Sequence, residues 1–356
     1  MRTNIYYWKC DNPLSIKDKL VYNDKYRLAD ITDTVKEIAN HHFKEDPKEI
    51  KSTGSSGNHY AYHIIYPDRT IFFRSDDGKI DDDYMDAEKA AMDLARKNGV
   101  PVPKVYATDT SKKNFPIRYQ LMEKVSGKSM KVFYQDGSLD RTKVSRQVGR
   151  HLAKLHSIKL EGFGFFNTQI LRKNNKIIGL DKTNREYFNK KLVNHLKYLQ
   201  DKSFLKAKEV KQIEELIDKF KKHLDIKQGY MVHKDVAYWN MVGTPNKVNA
   251  IVDWDDVISG DPIDDLAVER CFYGEDVFDP LLEGYKEVVK LPDDFYPRLW
   301  LYLIRNMLWK AVFRIFMGYF DMTVKVSLLN RSKDKSLREF THDQLFLGIN
   351  ELSKLG

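Results

Sequence analysis

A histidine, a carboxylate and an amide stand close together in this chain at a spacing that suits chemistry. His233, Asp235 and Asn240 form the pattern H-x-D-x-x-x-x-N, and Asp253 follows later, after a pair of apolar residues. Transfer of a phosphoryl group to a hydroxyl needs a carboxylate that accepts the hydroxyl proton and oxygen ligands for Mg²⁺. The pattern predicts Asp235 as the catalytic base, and Asn240 and Asp253 as the metal ligands. The alternative interpretation is a polar turn with a helix-capping aspartate.

The residues between Asn240 and Asp253 predict a β-hairpin. Met241-Val242 begins a strand, Thr244 to Lys247 supplies turn chemistry, and Val248 to Val252 returns. Such a hairpin would carry the amide and the carboxylate to neighbouring positions at one end, close enough to share an ion. A catalytic H-x-D-x-x-x-x-N loop followed by a metal-binding aspartate is the pattern of kinases.

Upstream of this stretch, the sequence predicts a β-hairpin preceded by a loop rich in glycine and serine. The loop is Lys51 to Asn58, and the strands are Tyr60 to Tyr66 and Thr70 to Arg74. Small residues let backbone N–H groups approach phosphate oxygens, and serine hydroxyls donate as well. The alternative is an ordinary turn. The predicted phosphate-binding residues are Ser55, Ser56 and Gly57.

Arg74 ends the second strand of that hairpin. A kinase has a cation at this place, which binds the nucleotide phosphates and pairs with a helix carboxylate. The predicted partner is Glu88, in the predicted helix Asp86 to Lys97. Arginine in place of the usual lysine remains charged and binds phosphate in a forked manner. The alternative is an exposed arginine at a strand end and a glutamate on a helix surface.

The chain after this helix predicts the rest of a small, mainly antiparallel sheet. Prolines in Val100 to Pro103 end the helix, and Lys104 to Ala107 and Ile117 to Val125 predict two more strands. In a two-lobed kinase the chain crosses here to the second lobe. Backbone groups of Glu123 and Val125 would then bind the adenine edge.

Three regions follow from this pattern. Residues 1–30 form an N-terminal extension, residues 31–125 a nucleotide-binding N-lobe, and residues 126–356 a catalytic and acceptor-binding C-lobe. The C-lobe pattern is helical from Thr142 onwards, and we interpret His156 as a hydrogen-bonded core residue at a helix end, not as a base.

Composition argues against a nucleic-acid-binding protein and against a disulfide-stabilised one. Lys+Arg total 60 against 51 Asp+Glu in 356 residues, a net charge of +9. The basic residues are spread out, and the densest run, Lys202 to Lys222, predicts a solvated helix face, so we expect no nucleic-acid partner. With Cys10 and Cys271 as the only cysteines, no disulfide framework is indicated.

We also expect no membrane association. The most apolar segment, Leu299 to Phe320, is interrupted by three cations and predicts a buried helix. The N-terminus lacks the apolar run of a signal peptide, so the sequence predicts a cytoplasmic protein. It predicts no particular oligomeric state. The interrupting cations are Arg305, Lys310 and Arg314.

Together, these features resemble the aminoglycoside phosphotransferase family, whose relatives include choline, homoserine and methylthioribose kinases. The resemblance covers roughly residues 31–320. Lys234 stands where the family usually has a small residue. The segment Gly162 to Asn167, with the helix around Tyr302 to Arg305, looks most like the hygromycin B phosphotransferase branch. The most specific motifs are His233-Lys234-Asp235 with Asn240, Ile251-Val252-Asp253-Trp254, and Gly260-Asp261-Pro262 with Asp265-Leu266-Ala267.

The resemblance implies an α+β, protein-kinase-like fold with a small antiparallel β N-lobe and a larger, mostly helical C-lobe. It also implies ATP or GTP with Mg²⁺, and a small-molecule hydroxyl acceptor. The acceptor would be an aminoglycoside-like antibiotic, as in antibiotic resistance, or a small metabolite. Asp255 and Asp256 border the predicted site and would face a cationic acceptor or solvent.

Two other functions compete with this one. A protein kinase is disfavoured because Trp254 replaces the Phe-Gly of protein kinases and no activation loop follows Asp253. A catalytically silent, kinase-like nucleotide-binding regulator is disfavoured by retention of Asp235, Asn240 and Asp253, whereas Arg74 in place of lysine favours it.

Overall fold

The computed structural model describes residues 30–56, 59–76, 83–321 and 335–356. Gly57 and residues 1–29 of the predicted extension lie outside the described residues. The strands are β1 (Glu49–Ser56), β2 (His59–Ile65), β3 (Thr70–Ser75), β4 (Val105–Asp109), β5 (Tyr119–Glu123), β6 (Lys128–Ser129), β7 (Lys159–Leu160), β8 (Phe163–Phe166), β9 (Gly179–Asp181), β10 (Gly229–Val232), β11 (Met241–Thr244), β12 (Lys247–Ile251) and β13 (Ile258–Gly260).

The helices of the described residues have the following bounds in chain order: α1 (Thr32–Phe43), α2 (Met85–Lys97), α3 (Met130–Asp136), α4 (Arg141–Leu155), α5 (Thr168–Asn174), α6 (Asn184–Asn189), α7 (Leu192–Asp201), α8 (Ala207–Phe220), α9 (Ile263–Phe272), α10 (Glu275–Lys286), α11 (Phe295–Phe316) and α12 (Leu337–Ser353). Single 3-10 turns lie at Lys221–Leu224 and Tyr238–Asn240.

The N-terminal part is a five-stranded sheet with the order β1-β2-β3-β5-β4, antiparallel at every pairing. Apolar residues of β2 and β3 pack against α1, because residues on one face of a strand recur with a period of two. Val35 and Ile38 of α1 are fully buried against Ile64, Ile71 and Phe73. This small core fixes β3, the strand that ends in the predicted phosphate-binding cation.

The prediction of a glycine- and serine-rich loop is wrong for the residues up to Ser56, because these residues form strand β1. Ser55 and Ser56 belong to β1 and pair with Tyr60 and His59 of β2, with one β-bulge earlier in the register. Glycine and serine have low strand propensity, but pairing with a neighbouring strand decides the structure. The two serines therefore lie at the end of β1, beside the turn to β2.

Helix α2 connects the sheet to the rest of the molecule. Its small apolar residues Ala87, Ala91 and Ala95 are completely buried, and they belong to the same core cluster as the C-terminal helices. Small side chains allow close packing of this helix. The packing fixes the position of Glu88, which lies on the same helix and is 2% exposed.

The C-terminal part is mostly helical, with two small sheets of order β7-β10-β13-β8-β9 and β12-β11-β6. Its central helix is α11, on which Leu303, Ile304, Met307 and Leu308 are fully buried. A helix that is apolar around most of its circumference belongs in a protein interior. None of the helices in the described residues is both long enough and apolar enough to span a membrane.

Two helices of the C-terminal part have a proline at or near their start. Pro262 directly precedes α9, and Asp261 Oδ1 accepts the N–H of Ile263 at 3.0 Å. Helix α10 begins at Glu275 and contains Pro280. Packing of buried α10 residues such as Phe278 offsets the hydrogen bond that the proline cannot make.

Candidate active site

The predicted β-hairpin is present, and it brings the Asn240 amide and the Asp253 carboxylate together. Strand β11 pairs with β12, with Met241 opposite Ile251. One further bond, from the Val252 N–H to the Asn240 carbonyl oxygen at 2.8 Å, extends the pairing beyond the strands. Asn240 and Asp253 therefore occupy adjacent positions at the open end of the hairpin.

Asp235 lies beside this end, and its two carboxylate oxygens have different surroundings. Oδ2 accepts hydrogen bonds from Asn240 Nδ2 at 2.7 Å and from Trp239 Nε1 at 3.3 Å. Oδ1 faces Lys310 Nζ at 3.6 Å. Because the amide nitrogen of Asn240 is used in this way, its amide oxygen is the atom suited to a metal ion. The sequence analysis missed Trp239 and Lys310 as neighbours of the carboxylate.

A buried aspartate of α9 holds the loop that carries Asp235. Asp265 accepts the backbone N–H groups of His233 at 2.8 Å and Lys234 at 2.7 Å, and it lies 3.0 Å from His156 Nε2. Burial alone would raise the pKa of Asp265, but these hydrogen bonds hold the pKa below its ordinary value. The carboxylate is thus ionised and anchors the loop. His156 is the buried, hydrogen-bonded core residue that its position predicts.

His233 connects the loop to the hairpin. Burial lowers the pKa of this imidazole below its ordinary value, so the ring is neutral. Its Nδ1 accepts the N–H of Asp235 at 3.3 Å, which leaves Nε2 to donate to the Val252 carbonyl oxygen at 3.1 Å. The backbone of Asp235 and the residue before Asp253 are therefore held by opposite sides of one ring.

The loop that carries Asp235 and the segment that follows the hairpin each contain a residue in the left-handed backbone region. Lys234 has φ 72° and Asp253 has φ 66°. Residues other than glycine seldom adopt this region, and such conformations cluster at functional sites where surrounding contacts maintain them. For Lys234, the contacts are a buried ion pair with Asp264 at 2.7 Å and a hydrogen bond to Asn306 Oδ1 at 2.9 Å.

Several acidic groups act on Asp253. The residue is exposed at the cleft, although nearby protein atoms reduce the hydration of its carboxylate. This desolvation, together with the nearby charge of Asp255 and despite Arg74, raises the pKa of Asp253 to about 8. Repulsion from Asp235 contributes in the same direction. A carboxylate in such surroundings favours a bound cation.

Arg74 and Glu88 form a buried ion pair between β3 and α2. The residues are 7% and 2% exposed. Arg74 also donates to Gln120 Oε1 on β5, at 3.2 Å from Nε and 3.0 Å from one terminal nitrogen. The alternative of an exposed arginine and a surface glutamate is therefore wrong. Gln120, which the sequence analysis missed, orients the guanidinium.

A cavity of about 340 Å³ lies between the sheet and the hairpin. Glu123 and Val125 line it where the chain leaves β5. The Glu123 N–H donates to the Lys104 carbonyl oxygen at 2.7 Å, whereas the Val125 N–H has no backbone acceptor within the described part of the chain. The other lining residues are His63, Phe72, Arg74, Met92, Pro103, Met122, Lys124, Gly127, Ser129, Trp239, Asn240, Val242, Val252, Asp253 and Trp254.

The donor set at the mouth of this cavity fits Mg²⁺ bound together with phosphates. Over residues 30–56, 59–76, 83–321 and 335–356, no cluster of three or more acidic, histidine or cysteine residues is arranged to hold a metal by itself. Mg²⁺ commonly takes one or two protein oxygens and completes its shell with water and substrate phosphates. The Asp253 carboxylate and the Asn240 amide oxygen are such a partial set.

Several solved structures share this fold. The aminoglycoside phosphotransferase APH(4)-Ia, as a thermostable mutant in its apo form, is 15% identical, with a TM-score of 0.61 over 90% of this chain and 99% of that chain. Its ternary complex with AMP-PNP and hygromycin B is 14% identical, with a TM-score of 0.61 over 89% and 98%. A protein from Thermobifida fusca YX-ER1 assigned as a fructosamine-3-kinase is 17% identical, with a TM-score of 0.62 over 91% and 99%.

These likenesses establish the protein-kinase-like α+β fold, with an antiparallel sheet first and a helical part after it. The two kinds of neighbour match equally well, so the fold does not favour the hygromycin branch. No match was found among curated protein sequences. The model of the phosphotransferase enzyme family matches residues 50–294, more than half of the chain and all of the site residues described above except Lys310 and Asn306. This chain belongs to the phosphotransferase enzyme family.

Proposed function

We propose that this protein is a Mg²⁺-dependent small-molecule kinase that transfers the γ-phosphoryl group of ATP or GTP to a hydroxyl. The acceptor is an aminoglycoside-like antibiotic or a small metabolite. One observation carries the proposal: Asp235, Asn240 and Asp253 converge at the mouth of a cavity that Arg74, the ion-pair partner of Glu88, also lines.

In this mechanism, Asp235 orients the acceptor hydroxyl through Oδ1 and takes up its proton during in-line attack on the γ-phosphorus. Asn240 and Trp239 hold Oδ2, so that the carboxylate keeps one orientation. When bound at Asn240 and Asp253, Mg²⁺ neutralises charge on the phosphates. The backbone tethers from Asp265 keep the loop rigid while the proton moves.

For the nucleotide, we assign residues 31–125 as the binding lobe and residues 126–356 as the catalytic and acceptor-binding lobe. The free Val125 N–H and the Glu123 carbonyl oxygen are suited to the adenine edge. Arg74, oriented by Glu88, is suited to the phosphates. Ser55 and Ser56, at the end of β1, and Gly57, which follows them in sequence, complete the proposed phosphate site.

A coupled assay of nucleotide consumption tests the function. The protein is incubated with ATP or GTP and Mg²⁺ against aminoglycosides, choline-like amines and sugar alcohols, and each product is checked by mass spectrometry for one added phosphoryl group. We expect transfer to at least one acceptor, and loss of that transfer in EDTA. Nucleotide binding with no transfer and no hydrolysis would instead indicate a silent nucleotide-binding protein.

Replacement of Arg74 by alanine is expected to raise the nucleotide KM by about 10- to 100-fold, because a hydrogen bond to a charged group contributes roughly 1.5–3 kcal/mol. Steady-state kinetics with the nucleotide as the varied substrate measures the effect. Arg69→Ala is the matched control, since Arg69 lies in the β2–β3 turn and pairs with Glu45 at 2.7 Å. An unchanged nucleotide KM for Arg74→Ala would mean that another residue holds the phosphates.

Replacement of Asp253 by asparagine is expected to abolish stabilisation of the nucleotide complex by Mg²⁺. In the wild-type protein this stabilisation should rise with pH from about 6 to 8, because metal binding requires the ionised carboxylate and the pKa of Asp253 is about 8. Since that pKa is raised, ionisation destabilises the metal-free protein as the pH rises towards 8. Thermal unfolding with and without Mg²⁺ measures both trends, and a variant that keeps its Mg²⁺ response would exclude Asp253 as a ligand.

A further inference from the structure

Lys310 of the central helix α11 lies against the proposed base. Its Nζ is 3.6 Å from Asp235 Oδ1, and the residue is only 9% exposed. The ammonium also lies over the rings of Phe272 at 4.7 Å and Trp309 at 5.5 Å. A buried ammonium is costly unless it is paired, and aromatic faces stabilise it only in part. The position next to the proton-accepting oxygen is therefore maintained by specific contacts.

Groups of both charge signs act on Lys310 in the resting protein. Burial lowers the pKa of this lysine, while the carboxylates of Asp235 and Asp256 oppose the shift and Arg314 adds to it. Cys271 is a neutral neighbour, because burial raises the pKa of its thiol to about 12. Before the reaction, the Asp235 carboxylate is the group of opposite charge that lies against the Lys310 ammonium.

The reaction changes this balance. The acceptor O–H proton moves to Asp235 Oδ1, the acceptor oxygen forms a bond to the γ-phosphorus, and the bond from that phosphorus to the bridging oxygen breaks, with its electron pair leaving on the nucleoside diphosphate. Asp235 is then neutral. Lys310, whose Nζ lies 3.6 Å from Asp235 Oδ1, then faces one carboxylate less than before. Its positive charge beside the reacting hydroxyl is no longer offset by Asp235.

We propose that Lys310 is a further catalytic residue, whose ammonium contacts Asp235 Oδ1 and stabilises the anionic oxygen that develops beside it. The acceptor therefore has neutral or anionic oxygen groups, and not an ammonium, next to its reacting hydroxyl. This inference rests on the proposed kinase function. It narrows the acceptor class, because an ammonium in that place would meet Lys310 at short range where little water screens the two charges.

The first experiment compares Lys310→Met and Lys310→Arg with the wild-type protein, using nucleotide hydrolysis with water as acceptor, so that no acceptor needs to be known. We expect Lys310→Met to lower kcat by about 100-fold, the scale for loss of one charge-stabilising group, with the nucleotide KM within about twofold. Lys310→Arg, which keeps the charge, should recover part of kcat. Lys211→Met is the matched control, since that side chain is 77% exposed.

A kcat of Lys310→Met equal to that of the wild type would overturn the catalytic role. A loss that appears in the nucleotide KM or nucleotide Kd, or that Lys310→Arg does not relieve at all, would show a structural role instead. Absence of Mg²⁺-dependent nucleotide binding in the wild type would refute the proposed function itself, which is a different outcome.

The second experiment tests the acceptor class with three matched sugars: glucuronate, glucose and glucosamine. Each is measured as an acceptor and as a competitor of hydrolysis. We expect glucuronate and glucose to react or compete better than glucosamine in the wild type, and Lys310→Met to reduce this preference by about tenfold or more. Preference of the wild type for glucosamine, or failure of both other sugars to react or compete, would overturn the acceptor class.

Discussion

Replacement of Asp235 by asparagine is expected to lower kcat by about 10²- to 10⁴-fold, the range that a positioned general base contributes. Asparagine has the same shape, and its amide oxygen can still accept the hydrogen bond that Asn240 Nδ2 gives to Oδ2 at 2.7 Å. The variant lacks the second carboxylate oxygen, Oδ1, which is the proposed proton acceptor. The expected loss is therefore in proton transfer and not in the architecture of the loop.

Single-turnover kinetics at saturating nucleotide isolates this step, and a titration with a non-hydrolysable nucleotide measures binding. We expect the nucleotide Kd of the variant to stay within about threefold of the wild-type value, since Asp235 faces the acceptor and not the nucleotide base. Asp218→Asn is the matched control, because that side chain is 72% exposed and pairs with Lys221 on the surface. Retained turnover in Asp235→Asn would exclude this residue as the base.

The arrangement of the site was predictable where its residues are neighbours in sequence. Asn240 and Asp253 are joined by one hairpin, and alternation of apolar residues with turn chemistry is sufficient to predict such a unit. Arg74 and Glu88 lie on consecutive elements, so their ion pair also followed from the order of strand and helix. In both cases a short connection limits the possible geometry.

The secondary structure of the Ser55–Ser56 segment was not predictable in the same way. Its composition is typical of a loop, and its strand conformation depends on hydrogen bonds with β2. Strand propensity is small compared with the effect of pairing and burial. A segment of glycine and serine can therefore be a strand when its neighbour has a strongly apolar, alternating pattern.

Lys310 was missed for a different reason. Its contact with Asp235 joins residues that are far apart in sequence, and no local pattern indicates which helix faces which loop. The segment Leu299 to Phe320 did contain a signal, since cations inside an apolar helix must find partners in the interior. The cations that argue against a membrane span therefore also predict buried anionic partners, and Asp235 is the partner of Lys310.

Replacement of Lys234 by methionine is expected to lower the free energy of unfolding by about 3–5 kcal/mol, the usual cost of removing one partner from a buried ion pair. Lys234 is 5% exposed and Asp264 is 1% exposed, and Nζ lies 2.8 and 2.7 Å from the two carboxylate oxygens. Without the ammonium, the Asp264 carboxylate keeps one side-chain hydrogen bond within the described part of the chain, from Asn306 Nδ2 at 2.9 Å. Urea unfolding in the absence of nucleotide measures the change, and Lys211→Met again serves as the exposed control.

Three further variants distinguish the contribution of the ion pair to the free energy of unfolding from the contribution of backbone strain at Lys234. The double variant Lys234→Met/Asp264→Asn removes the unpaired charge, so most of the lost stability should return, and the double-mutant cycle gives the coupling energy. Lys234→Ala and Lys234→Gly both remove the pair and the buried side chain, but only glycine adopts φ 72° without strain, which offsets roughly 1–3 kcal/mol. Lys234→Gly should therefore be more stable than Lys234→Ala. If the glycine and alanine variants were equally stable, the left-handed backbone would carry no strain here, and the departure from the small residue usual in this motif would be explained by the ion pair alone.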